Sequence, residues 1–164
     1  MKRGTLPTAR ATRSREREPA VDFDELPGYV GYQVRRAQAR IFTELEAALR
    51  DVDFTPGSFG VLTLIRANPS ITQVALAAAF GVDKSTMSPV IFRLESRGLI
   101  RREVLAKDRR RHALFFEASA EAIYLAARER VRAFEDSTAA RLTKAEQREL
   151  ARLLGKLQGK GSAA

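Results

Sequence analysis

DKSTMSPVIFRLESRG, residues 83–98, is the stretch whose reading decides the fold. Asp83 is a suitable N-cap, because its carboxylate can accept the free backbone N–H groups of a first helical turn. Small hydroxyl residues follow at Ser85, Thr86 and Ser88, and then Val90, Ile91 and Leu94 recur at helical spacing, so one end can touch another molecule while the other packs. Arg93 and Arg97 add charge, and Gly98 can end the helix. Pro89 falls inside it and predicts an irregular first turn, either through a bend or through a helix that starts later, near Ser85.

Outward from this stretch, residues 71–80 (ITQVALAAAF) read as a short helix. Gly81 supplies a positive-φ turn between the two helices, and small Ala77 lets them cross closely. Downstream, residues 99–104 and 112–116 read as two short strands joined by a basic loop, AKDRRR, at 106–111. Helix, turn, helix, strand, basic hairpin, strand is the order of a winged helix-turn-helix: mainly α, with a small β-hairpin wing. A helix fits the major groove of B-DNA, and short hydroxyl side chains near its start can meet donors or acceptors on base edges. Lys107, Arg109, Arg110 and Arg111 lie on a loop too polar for a core, where arginine suits phosphates or a narrow minor groove.

The charge distribution agrees. The 164 residues carry a formal charge of +9. Residues 1–20 hold six basic against two acidic residues, and residues 93–111 hold eight against three, so the excess sits in a tail and in the expected wing. Clustered positive charge is the footprint of a polyanion partner. The length suits one domain, and no apolar run reaches membrane-spanning length. The basic start is not followed by an apolar stretch, so a cytoplasmic protein is expected. With no cysteine, disulfides, thiolate redox sensing and thiolate metal sites are excluded.

Residues 1–22 read as a disordered basic tail, either solubilising or a phosphate-binding arm. Residues 23–160 read as one domain, with the winged helix-turn-helix at 55–116, flanking helices at 27–50 and 118–158, and a frayed end at 161–164. In the first flanking helix Val30, Val34, Ala37, Ile41, Leu45 and Leu49 recur at steps of three and four. Thr55 and Pro56 start a second helix, apolar on most sides through Phe59, Val61, Leu62, Leu64 and Ile65, which Asn68 and Pro69 end. A long helix is expected over 117–142, with Ile123, Ala127, Val131 and Phe134 on its apolar face. Thr143 to Glu146 is a capping box opening a last helix striped by Leu150, Leu153, Leu154 and Leu157. The flanking helices would pair two chains, spacing two recognition helices about one DNA turn apart on a pseudo-palindromic site; alternatively the leucine stripe completes the monomer core.

LPGYVGYQVRRAQARIF, TPGSFGVLTLI, ITQVALAAAFGVDKSTMSPVIFRLESRGLIRR and KDRRRHALFF together resemble the MarR family of bacterial transcription regulators over about residues 26–158. The RLESRGLIRR junction and the pair Asp108 and Arg110 are the most specific points of likeness. The resemblance implies a winged-helix homodimer that binds double-stranded DNA, represses nearby genes and releases DNA when a small, often phenolic, ligand binds. The implied DNA-binding set is Thr72, Gln73, Lys84, Ser85, Thr86, Ser88, Pro89, Arg93, Lys107, Arg109, Arg110 and Arg111, with Arg110 in the minor groove and Asp108 orienting it. Residues 117–120 (EASA) depart from the family, which often has Thr followed three residues later by Gly.

The family's ligand pocket maps onto Tyr29, Tyr32, Arg36, Arg40 and Phe59. Aromatic walls with one or two arginines suit an aromatic acid or its coenzyme A thioester, since guanidinium pairs with carboxylate or phosphate in a fork. Residues 31–38 resemble members that sense hydroxycinnamates or their thioesters; the alternative is core tyrosines with surface arginines. An enzyme is disfavoured, because His112 is the single histidine and has no catalytic partner motif. No cofactor and no metal is expected, since ligand spacing is lacking. A sequence-tolerant architectural DNA-binding protein remains the alternative, because tail and wing would give salt-dependent affinity without base readout.

Overall fold

The computed structural model describes residues 21–105 and 108–159, with backbone alone for Leu105 and residues 108–111. The tail at 1–20, Lys107 and the end at 160–164 lie outside the described residues. The chain forms α1 (Val30–Leu49), α2 (Pro56–Ala67), β1 (Ile71–Thr72), α3 (Gln73–Phe80), α4 (Lys84–Ser96), β2 (Ile100–Leu105), β3 (Asp108–Phe116), α5 (Glu121–Ala139) and α6 (Lys144–Leu157). It divides into two compact units at Arg36 and Ala37, within α1.

In the first unit a 3-10 turn at Leu26–Gly28 precedes α1, and Tyr29 is extended, so the regular helix starts at Val30 rather than Pro27. Val30 and Val34 are exposed, and Phe23 lies against Tyr32 with ring centroids 6.3 Å apart.

The second unit holds the core. Leu49, Leu62, Ile65, Leu76, Ile91, Leu94 and Leu114 are fully buried, so α2, α3, α4 and β3 converge with the end of α1 on one apolar centre. Each such side chain contributes about 1.5–3 kcal/mol on leaving water. The expected start of α2 is present: Thr55 accepts from the Ser58 N–H at 3.1 Å, and the Ser58 hydroxyl accepts from the Thr55 N–H at 2.9 Å. Asp53, just before it, is left-handed at φ 53°, ψ 47°.

Four further expectations need correction. Ile71 and Thr72 are a strand rather than the first turn of a helix, because they pair with Leu114 and Ala113 of β3 and the Thr72 hydroxyl instead caps α3. The first turn of α4 is regular from Lys84, with the Asp83 carbonyl accepting from Met87 N–H at 3.2 Å. Pro89 is the sixth residue of α4, and its ring crowds the Ser85 carbonyl one turn back, which leaves the Asp83–Met87 turn intact. Residues 108–111 belong to β3, not to a loop, because the ladder resumes with Leu105 paired to Asp108 after a register shift. Finally, α5 begins at Glu121 after a 3-10 turn at Ala118–Ala120 and ends at Ala139. Its start is delayed because the Glu117 N–H is held by the Leu99 carbonyl at 3.0 Å.

The sheet order is β1-β3-β2, all antiparallel. Tyr124 of α5 stacks on Phe59 at 5.7 Å, and Arg66 lies 4.9 Å over Tyr124 while forming a two-pronged pair with Glu121, which fastens α5 to α2. The capping box at Thr143 and Glu146 is present, yet α6 has no buried residue: Leu150, Leu153 and Leu157 are exposed.

Candidate nucleic-acid interface

Local backbone chemistry places α4 across α3. Gly81 is left-handed at φ 64°, a conformation it adopts without the backbone strain a side chain would bring, so the chain can reverse, and Ala77 is buried. The Asp83 carboxylate accepts from the Ser85 hydroxyl at 2.6 Å and from the Thr86 N–H at 2.7 Å. These two bonds, the Ser85 hydroxyl foremost, hold its carboxyl below the ordinary aspartate range. The Gln73 amide donates to the Ser88 hydroxyl at 2.6 Å and to the Lys84 carbonyl at 3.1 Å, tying the start of α3 to the start of α4.

Met87, Ile91 and Leu94 turn inward, while Lys84, Ser85, Thr86, Ser88, Pro89, Phe92 and Arg93 are exposed. The structure therefore gathers Gln73, Lys84, Ser85, Thr86, Ser88, Pro89 and Arg93 on one molecule's surface around the start and outer face of α4. Thr72, Gln73, Lys84, Arg102 and His112 line a shallow cleft of about 120 Å³ between that start and the strands. Arg102 and His112 are not among the expected residues; their one signal in the sequence is that they stand on the two strands flanking the basic loop. Lys107 lies outside the described residues, and so do the side chains of Asp108, Arg109, Arg110 and Arg111, whose backbone runs in β3.

Arg93 is held rather than free. Its guanidinium pairs with Asp53 at 2.5 Å. Arg97 approaches the same carboxylate at 3.5 Å, donates to the backbone carbonyls of Asp53 and Val52, and stacks on Phe54 at 4.6 Å. No helical periodicity could have revealed Asp53, because the pairing spans forty residues.

The residues expected around a ligand divide between the units. In the first, the Tyr29 hydroxyl donates to Glu25 at 2.6 Å, which raises the phenol above its ordinary range, and the Arg36 guanidinium lies 5.7 Å over the Tyr32 ring. In the second, Arg40 pairs with Glu44 at 2.9 Å, and Glu44 also accepts from Arg141 at 2.8 Å. Phe59 is half-buried between Phe54 and Tyr124.

The family model described as MarR family matches residues 54–112, from the end of the Asp53 turn through α2, α3 and α4 into β3. An HTH-type transcriptional repressor of Mycobacterium tuberculosis is 31% identical over 134 residues, covering 82% of this chain and 95% of that protein. The chain belongs to the MarR family. A transcriptional regulatory protein for the hcr operon of Thauera aromatica is 38% identical over 90 residues, and the chain spans about half of that relative, 54%. Among solved structures, the transcriptional repressor CouR bound to a 23-mer DNA duplex superposes with TM-score 0.79 at 29% identity, covering 85% of this chain and 99% of CouR. CouR bound to p-coumaroyl-CoA superposes with TM-score 0.78 at 27% identity, over 85% and 98%. The relatives of this MarR-family chain are transcriptional regulators, not enzymes, and its fold is the family's mainly helical winged helix-turn-helix.

Proposed function

We propose that this MarR-family chain is a ligand-responsive, DNA-binding transcriptional repressor, acting in the cytoplasm as a homodimer on a pseudo-palindromic operator. The observation that carries the reading is α4 itself: a helix packed on one face, with hydroxyls and a lysine exposed at its capped start and presented by α3. That is the shape and chemistry of a major-groove reader. The likeness to CouR in complex with duplex DNA supports it. Arg110 in the minor groove, with Asp108 orienting it, is part of the proposal and rests on the family resemblance.

A dimer is supported by Leu150, Leu153 and Leu157 of α6, which the described residues leave about half exposed or more. The effector is proposed to be an aromatic acid or its coenzyme A thioester, taken by Tyr29, Tyr32, Arg36, Arg40 and Phe59. The Arg36 and Tyr32 stack offers a cationic and aromatic surface for such a molecule, and CouR, of the same fold, is known bound to p-coumaroyl-CoA.

The test compares binding to the palindrome in the protein's own promoter with binding to random duplex at fixed physiological salt, then titrates p-coumaroyl-CoA and free p-coumaric acid into the complex. A large preference for the palindrome, lost on adding one of the two, is expected. The net charge of +9 favours one competing reading, a sequence-tolerant architectural protein; equal affinity for both duplexes would establish that instead.

A further inference from the structure

Phe92 is the outlier of α4. It is 70% exposed, and none of the aromatic or cation–π contacts among the described residues includes it. At 100° per residue, Ser85, Ser88 and Phe92 lie within about 60° of one another on the outer face, turned away from buried Met87 and Leu94. A bare phenyl ring thus stands on the very stripe that carries the hydroxyls. It does nothing for the core and is poorly solvated, so its use lies in what the stripe meets.

In the major groove every base edge offers hydrogen-bonding groups, and thymine alone adds an apolar one, its C5 methyl. We propose that Phe92 is a specificity-determining residue that packs against a thymine methyl in each half-site of the operator. Seven residues separate it from Ser85, which is about 10 Å along the helix and so about three base pairs farther along the groove. Ser85 and Ser88 meet the polar edges near the helix start, and Phe92 reads the methyl beyond them. This inference rests on the reading of α4 as a major-groove helix.

The experiment selects operators from random-sequence duplexes with the full chain, then replaces the half-site thymines one at a time, in symmetric pairs, by 2′-deoxyuridine, which removes only the methyl. For the unaltered protein one symmetric replacement is expected to weaken binding about fivefold or more. Phe92→Ala should lose a similar factor on the thymine operator and lose nothing further on the matching deoxyuridine operator, while Phe92→Leu keeps part of the preference. Unchanged melting temperatures are expected for both variants, since the ring leaves no cavity in the core. A half-site without a consensus thymine, no deoxyuridine effect, or an undiminished effect in Phe92→Ala would overturn the role of Phe92 and leave major-groove binding standing. Failure of the selection to enrich any sequence would overturn the major-groove reading itself, and this inference with it.

Discussion

Asp53 joins two arginines that hydrogen-bond geometry assigns to different tasks. Arg97 is largely covered, stacks on Phe54 and binds two carbonyls, so it fixes the end of α4 to the turn before α2. Arg93 is half-exposed and depends on the Asp53 carboxylate, so its charge can be released. Asp53→Asn keeps a residue tolerant of the left-handed region and removes the charge. Operator binding measured by fluorescence anisotropy is expected to strengthen a few fold at low salt, and the slope against salt to steepen by about one counterion; an unchanged slope would mean that Arg93 reaches no phosphate. The stability change should stay below about 1 kcal/mol, because the pair is exposed. Asp83 makes a second prediction at this scale. Its carboxyl lies below the ordinary range of about 3.9 because Ser85 and Thr86 donate to the ionised form. Its contribution is therefore present above that value and disappears as the pH falls through the lowered one. Thermal melts should show the native chain above Asp83→Ala at neutral pH, with the gap narrowing once the pH falls below the ordinary aspartate value.

The elements legible in the sequence are those whose ends are written locally. Gly98 stands at φ 68°, with its N–H on the Glu95 carbonyl and the Leu99 N–H on the Leu94 carbonyl, so α4 closes on hydrogen bonds that the glycine alone admits without strain. A Cβ there would meet nothing within 4 Å, so the cost of Gly98→Ala is backbone strain alone, about 1 kcal/mol by urea unfolding. A cost near zero would show that the turn relaxes out of the left-handed region. Thr55, Asp83 and Thr143 were legible for the same reason: each cap acts within three residues of itself. β1 was not, because two residues become a strand only through β3, some forty positions away. The start of α5 was hidden likewise, since Glu117 is detained by Leu99. At the candidate site, the hydroxyl stripe followed from helical spacing, whereas the Asp53 clasp and the cleft at His112 are products of tertiary contact.

For the whole molecule, the question is what the leucine stripe of α6 is for. Periodicity established that Leu150, Leu153 and Leu157 share a face but could not say which surface they meet, since a core and a partner helix select the same spacing. The fold decides half of this: the core closes on α2, α3, α4 and β3 without them, and they stand about half exposed or more. Burying such a stripe against a second copy is favourable in proportion to the apolar area removed from water. Leu153→Glu places a charge at its centre, so sedimentation should find monomer at concentrations where the native chain is dimeric. The DNA-reading unit should still fold, because Leu153 belongs to no core cluster, while the melting temperature falls by what pairing contributed and no longer rises with protein concentration. Each monomer keeps α4 intact but loses the tether that makes the second half-site an intramolecular event. Operator affinity should therefore fall about a hundredfold or more, while binding to an isolated half-site stays within a few fold of the native chain. A variant that remains dimeric would return the stripe to the monomer, and one that loses half-site binding as well would show that α6 supports the recognition helix directly.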